Sequence, residues 1–161
     1  DKYLWAGPYL YSRQMVAVRM DSEIQKLKDL TGKMIAVQET SKAEEYFLRS
    51  DFEGIPDVSL VYCFSNMDEV FAALRKNYVE AICGHESALI SFINTAPDEY
   101  RLLDESFLYS ALGVAFDIQY DEEFVEELFK TLGDMMNDGT IAAIVGKYGL
   151  DAEKSLGRGN D

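Results

Sequence analysis

The sequence predicts an α/β fold, a parallel sheet sandwiched between helices. Short apolar runs bounded by turn residues alternate with longer segments of helical periodicity, which is the pattern of strand–helix–strand units. The clearest unit runs from Asp29 to Phe47. Thr31-Gly32 is a turn, and Met34-Ile35-Ala36-Val37 has the length and apolarity of a buried parallel strand. Ser41 and Glu44 stand at capping-box spacing, so a helix starts directly after that strand. The unpaired N–H groups and dipole of such a start make an anion seat at the strand's carboxyl end.

The remaining elements follow in order. Trp5 to Tyr9 reads as a turn around Gly7-Pro8, and Met15 to Val18 as a strand. Asp21-Ser22 opens a short helical segment ending near Leu30, and the helix capped by Ser41 runs to about Ser50. Gly54 and Pro56 make residues 52–57 a loop, and Val58 to Cys63 is the next strand. Asn66 caps a helix with Met67, Val70, Phe71 and Leu74 on one face, and Asn77 supplies the left-handed residue that ends it. Val79 to Cys83 is a third strand, followed by a helix from Glu86 to about Thr95. Past Pro97, Tyr100 to Leu103 and Ala111 to Ile118 are further strands. Asp121 caps a helix whose buried stripe is Phe124, Val125, Leu128, Phe129, Leu132, Met135 and Met136, and Asn137-Asp138-Gly139 ends it. Thr140 caps a last helix with Ile141, Ile144, Val145 and Tyr148 inward, and from Lys154 the composition predicts a frayed tail.

Composition narrows the function. With 161 residues, 48% of them hydrophobic, the chain can bury the core of one or two small domains. A formal net charge of −14 argues against nucleic acid and anionic membrane surfaces as partners, since both need clustered Lys and Arg. No apolar run nears the ~20 residues of a membrane helix. The chain opens on Asp1-Lys2-Tyr3 without a signal-peptide pattern, which decides nothing about export. Cys63, Cys83 and His85 fall one ligand short of a structural zinc set, so no metal is expected, and no cofactor is expected.

Four motifs stand in sequence: Gly7-Pro8-Tyr9; Asp29-Leu30-Thr31-Gly32-Lys33 through Val37-Gln38; Asn77-Tyr78-Val79-Glu80-Ala81-Ile82-Cys83-Gly84-His85; and Asp138-Gly139-Thr140-Ile141 through Lys147-Tyr148-Gly149. Over residues 5–150 this ordered set resembles the extracytoplasmic solute-binding proteins of amino-acid ABC transporters, which have the type 2 periplasmic-binding fold. The resemblance implies two lobes, the chain passing from lobe one to lobe two and back. Residues 20–111 then make a complete lobe two. Residues 1–19 and 112–150 carry hinge strands and part of lobe one, whose N-terminal portion is missing, and 151–161 are the tail. The apolar stripe within 112–150 would be left uncovered, so self-association through those residues, as a dimer, is expected. The implied sheet order sets the strand at 34–37 between those of Cys63 and Cys83. Two strand spacings of ~4.8 Å exceed the ~7 Å Cα limit for a bridge, so two free thiols are expected.

The resemblance also places a ligand beyond the carboxyl ends of the strands, where three elbows converge at 38–42, 64–66 and 84–86. It implies that Thr40, Ser41 and Lys42 meet a ligand carboxylate, with Gln38 and Ser65 as polar contacts. The family's amine-binding acid falls at His85, and a neutral imidazole meets an ammonium group only as an acceptor. Glu86 either substitutes for that acid or complements the dipole of the following helix. An anionic or neutral solute therefore fits His85 at least as well as a free α-amino acid.

The expected function is binding of a small solute, an amino acid or small carboxylate, by clamshell closure about hinges near Arg19-Met20 and Ala111-Leu112. A membrane permease of an ABC-type uptake system would read the closed state, outside the cytoplasm in the periplasm or on a cell-surface lipoprotein. With lobe one incomplete, weak or no binding by this chain is expected. The alternative is the sensor domain of a membrane signalling protein. An enzyme using Ser41, Cys83, His85 or Glu86 is less favoured, because no nucleophile-elbow, Cys-His or metal spacing appears.

Overall fold

The computed structural model describes residues 2–49 and 52–157. Its elements are β1 (Tyr3–Arg19), a single 3-10 turn (Leu27–Leu30), β2 (Met34–Gln38), α1 (Lys42–Leu48), β3 (Leu60–Phe64), α2 (Met67–Arg75), β4 (Ala81–His85), α3 (Glu86–Ile93), β5 (Tyr100–Asp117), α4 (Glu122–Asn137), α5 (Thr140–Lys147) and α6 (Ala152–Ser155). Two compact units divide the chain: Arg13–Leu108 is one, and the chain on either side of it makes the other. β1 and β5 contribute residues to both. The sequence expectation set the crossings at 19–20 and 111–112.

The sheet order is β3-β2-β4-β1-β5. β2 runs parallel to β3 and to β4, while β1 lies antiparallel to β4. Strand alternation divides the core of the 13–108 unit into two clusters. Val16, Val18, Ile35, Val37, Ala81 and Cys83 pack with Ala43, Tyr46 and Phe47 of α1 on one face. Met15, Ala17, Ala36 and Ile82 pack with α2 and α3 through Val70, Leu74, Leu89 and Phe92 on the other. Both faces are covered, which is why β2 and β4 read as continuous apolar runs. β2 separates Cys63 from Cys83, and both are free thiols.

The caps at Ser41, Asn66 and Asp121 form as expected, and Asn77 takes the left-handed conformation at φ 58°. Several boundaries differ. Trp5 to Tyr9 is no turn: β1 runs straight through it, because Gly7, at φ 131°, lets two backbones meet. A Cβ on Gly7 would lie 2.9 Å from the Gly113 Cα. The helical segment expected from Asp21 shrinks to the single turn Leu27–Leu30. β3 and β4 sit one to two residues and two residues later than expected, since pairing with Met34–Gln38 sets their register. The two strands expected at 100–103 and 111–118 are one, β5, and Asp104 and Glu105 did not break it because β5 is an edge strand. α1 ends at Leu48; its expected end at Ser50 lies outside the described residues.

In the other unit, Ile141, Val145 and Leu156 form a small core with Tyr9, Leu10, Met135 and Met136. The expected buried stripe of α4 is buried only at Val125, and Phe124 and Phe129 stand 47% and 54% exposed. Gly139, at φ 86°, is the N-cap of α5 in place of Thr140, whose N–H donates to Asp138 Oδ1 at 2.8 Å. Ile144 and Tyr148, expected inward, are exposed. The expected tail contains α6, capped by Asp151, with Ser155 and Leu156 buried. The last four residues of that tail lie outside the described residues.

Candidate functional site

The carboxyl ends of β2 and β4 and the N-terminal part of the 13–108 stretch of β1 surround a cavity of about 230 Å³. Gln14, Gln38, Ser41, Met67, Cys83, Gly84, His85, Ser87 and Ala88 line it. Its size falls below the ~300 Å³ at which ligand pockets usually begin, so it suits one end of a small solute.

The register of β1 on β4 builds the site. Gln14 lies opposite His85, and such cross-strand partners share a face. Gln14 Nε2 lies 3.0 Å from His85 Nδ1. One step along each chain, on the opposite face, Arg13 meets Glu86. Its Nε donates to Glu86 Oε2 at 3.0 Å, and its Nη2 pairs with Oε1. Arg13 and Glu86 are both buried. Glu86 is thus held by a charge partner and does not line the cavity.

The first elbow is closed on itself. Ser41 Oγ accepts from Glu44 N and donates to Gln38 O, and Thr40 N donates to Glu44 Oε2 at 2.6 Å. Glu44's carboxylate therefore occupies the place where the sequence put an anion seat. Thr40 is left-handed at φ 58°, the conformation for which glycine is the usual choice. Lys42 Nζ pairs with Glu45 on the exposed side of α1, and Ser65 Oγ donates to Glu69. Of the seven residues expected at the site, Gln38, Ser41 and His85 line the cavity; Thr40, Lys42, Ser65 and Glu86 do not.

Burial lowers the His85 pKa, which favours the neutral imidazole near neutral pH. Burial raises the Cys83 thiol far above its usual range, and partial burial with the Glu44 carboxylate pushes Cys63 up to about 11. Neither thiol is poised as a nucleophile. Among the described residues no group of three or more His, Cys, Asp or Glu could hold a metal, and no helix is long and apolar enough to cross a membrane.

Sequence reasoning missed Arg13 and Gln14, and also Met67, Ser87 and Ala88 as lining residues. The available signal was two adjacent polar residues leading into the apolar run Met15 to Val18.

No protein-family profile and no curated protein match the sequence. Solved structures do. An ancestral arginine-binding protein bound to arginine matches at 26% identity, TM-score 0.69, over 91% of this chain and 64% of that one. The same comparison with an ancestral arginine-binding protein bound to glutamine gives 25% and 0.68. The cysteine-binding protein of Campylobacter jejuni matches at 19% identity, TM-score 0.73, over 95% of this chain and 62% of that one. The chain has the type 2 periplasmic-binding fold. It spans about three fifths of the length of the structures it matches. On that fold, the cavity lies beyond the carboxyl ends of parallel strands, the place where open α/β sheets take their ligands.

Proposed function

We propose that this chain takes part in extracytoplasmic binding of a small solute, an amino acid or small carboxylate, for an ABC-type uptake system. One observation carries the reading: a cavity lined by Gln14, Gln38, Ser41 and His85 sits at the carboxyl ends of β2 and β4. Its setting is a fold shared with amino-acid-binding proteins. The buried Arg13–Glu86 pair gives the cavity's floor a firm support, binding β1 to the start of α3. In this reading the ligand sits against the 13–108 unit, and bending of β1 near Ser12-Arg13 and of β5 near Leu108-Tyr109, rather than at the expected Arg19-Met20 and Ala111-Leu112, accompanies capture. A membrane permease reads the closed state.

We also propose self-association through α4. Trp5, Val125, Glu126 and Phe129 border an open apolar hollow of about 490 Å³, in which Trp5 is 62% exposed.

A thermal-shift panel of L-arginine, L-glutamine, L-cysteine, L-glutamate and succinate tests the binding reading. A solute that binds the folded chain raises its melting temperature by mass action. At least one member is expected to do so at millimolar concentration, which narrows the sequence expectation of weak or no binding to weak binding. A flat response to the whole panel would sink the proposal.

A further inference from the structure

The cavity's least satisfied group is Gln14. The side chain is 1% exposed, and its Oε1 has no hydrogen-bond partner among the described residues. Leaving a buried amide oxygen unpaired costs roughly 1–3 kcal/mol, so such a group is informative wherever it borders a ligand-sized space. Gln14 borders one.

Its orientation follows from its neighbour. The amide nitrogen faces His85 Nδ1 at 3.0 Å. An N–H₂ group can only donate, so Nδ1 presents its lone pair and the ring carries its proton on Nε2. A depressed imidazole pKa is consistent with that neutral tautomer. With the nitrogen committed to His85, the oxygen is left without a partner in a residue of the cavity wall.

The other lining side chains carry no formal charge: Gln38, Ser41 and Ser87 are neutral polar groups, and Met67, Cys83, Gly84 and Ala88 complete the wall. The nearest acid in sequence, Glu86, is neutralised by Arg13. An ammonium group entering here would lose water without meeting a carboxylate, and a carboxylate would bring only lone pairs to the Gln14 oxygen.

We propose that Gln14 is a specificity-determining residue that selects solutes by an uncharged N–H or O–H donor, a primary carboxamide above all, received at its buried amide oxygen. This rests on the solute-binding reading and narrows its solute class. The end of the solute that enters this cavity is neutral and donating, whatever charges the solute carries elsewhere.

His85 is the single histidine of the chain, so its imidazole signals report this cavity without ambiguity. Nitrogen-15 NMR of the unliganded chain is expected to show the Nε2–H tautomer; the Nδ1–H tautomer would reverse the Gln14 amide and overturn the inference. The same signals are then followed during titration with L-glutamine and its near-isostere L-glutamate. Expected is at least tenfold tighter binding of L-glutamine, with His85 shifts that saturate together with the thermal shift.

Gln14→Met, of similar length, is expected to erase that preference. Equal binding of the two isosteres, a preference unchanged in Gln14→Met, or thermal shifts that leave His85 unmoved would overturn the role of Gln14 while leaving solute binding intact. Absence of any binding, with the Nε2–H tautomer confirmed, would instead refute the solute-binding reading and the inference with it.

Discussion

Glu86→Leu strips one member from the buried Arg13–Glu86 pair and leaves a guanidinium without its counter-charge. The two side chains are 6% and 9% exposed, so solvent cannot take over the lost contact. Breaking a buried pair from one side costs about 3–5 kcal/mol, against the ~5–15 kcal/mol that holds a typical domain folded. For the 13–108 unit that corresponds to a melting point lower by roughly 12–40 °C. Replacing both partners, as Arg13→Met with Glu86→Leu, removes the charges together and is expected to restore stability to within about 1 kcal/mol of the parent.

Urea unfolding of the parent, both single variants and the double variant, followed by far-UV circular dichroism, gives the coupling directly. A cost below about 1 kcal/mol for Glu86→Leu would mean that water reaches the pair. Single-variant losses that simply add in the double variant would mean that the two residues act independently. Either result would refute the argument that β1 is pinned to α3 by charge.

Four further outcomes are expected. Thr40→Gly relieves a β-branched residue at φ 58° and should raise the free energy of unfolding by a net of about 1 kcal/mol, seen as a higher urea midpoint; an unchanged or lower midpoint would count against strain there. Gly7→Ala puts a Cβ 2.9 Å from the Gly113 Cα at φ 131°, so a loss of at least ~2 kcal/mol is expected, and a variant as stable as the parent would contradict the close approach. His85 is held below its unfolded value of ~6.5. Between the two values the unfolded chain binds more protons, so the stability favoured by neutral His85 is full above ~6.5 and lost as pH falls through the folded value. The parent should therefore lose more stability than His85→Gln between pH 7.5 and pH 5, and parallel curves would remove burial as the cause. Finally, Phe124→Ser with Phe129→Ser should lower self-association in sedimentation velocity, while a parent chain that is monomeric at all concentrations would dismiss the α4 contact.

The parts of the fold legible in the residues are those governed by neighbours in sequence. Ser41, Asn66 and Asp121 cap their helices because each accepts an N–H from two or three residues ahead, a contact that needs no tertiary partner. Met34 to Val37 declares a buried strand because both its faces must be apolar. Gln38, Ser41 and His85, three of the residues expected at a site, line the cavity because elbows after parallel strands are where a doubly covered sheet opens.

The tertiary structure decided the rest. Gly7-Pro8 looks like a turn to any local rule, yet it lies inside a strand because Gly113 approaches it from far along the chain. Glu86 looks like a first-turn helix acid until Arg13, 73 residues away, arrives beside it. The same pairing brings Gln14 to His85 across 71 residues and leaves the glutamine's oxygen buried at the cavity. Local pattern carries periodicity and caps over a few residues, whereas the register of one strand on another is set only when the hydrophobic faces of the whole sheet close together.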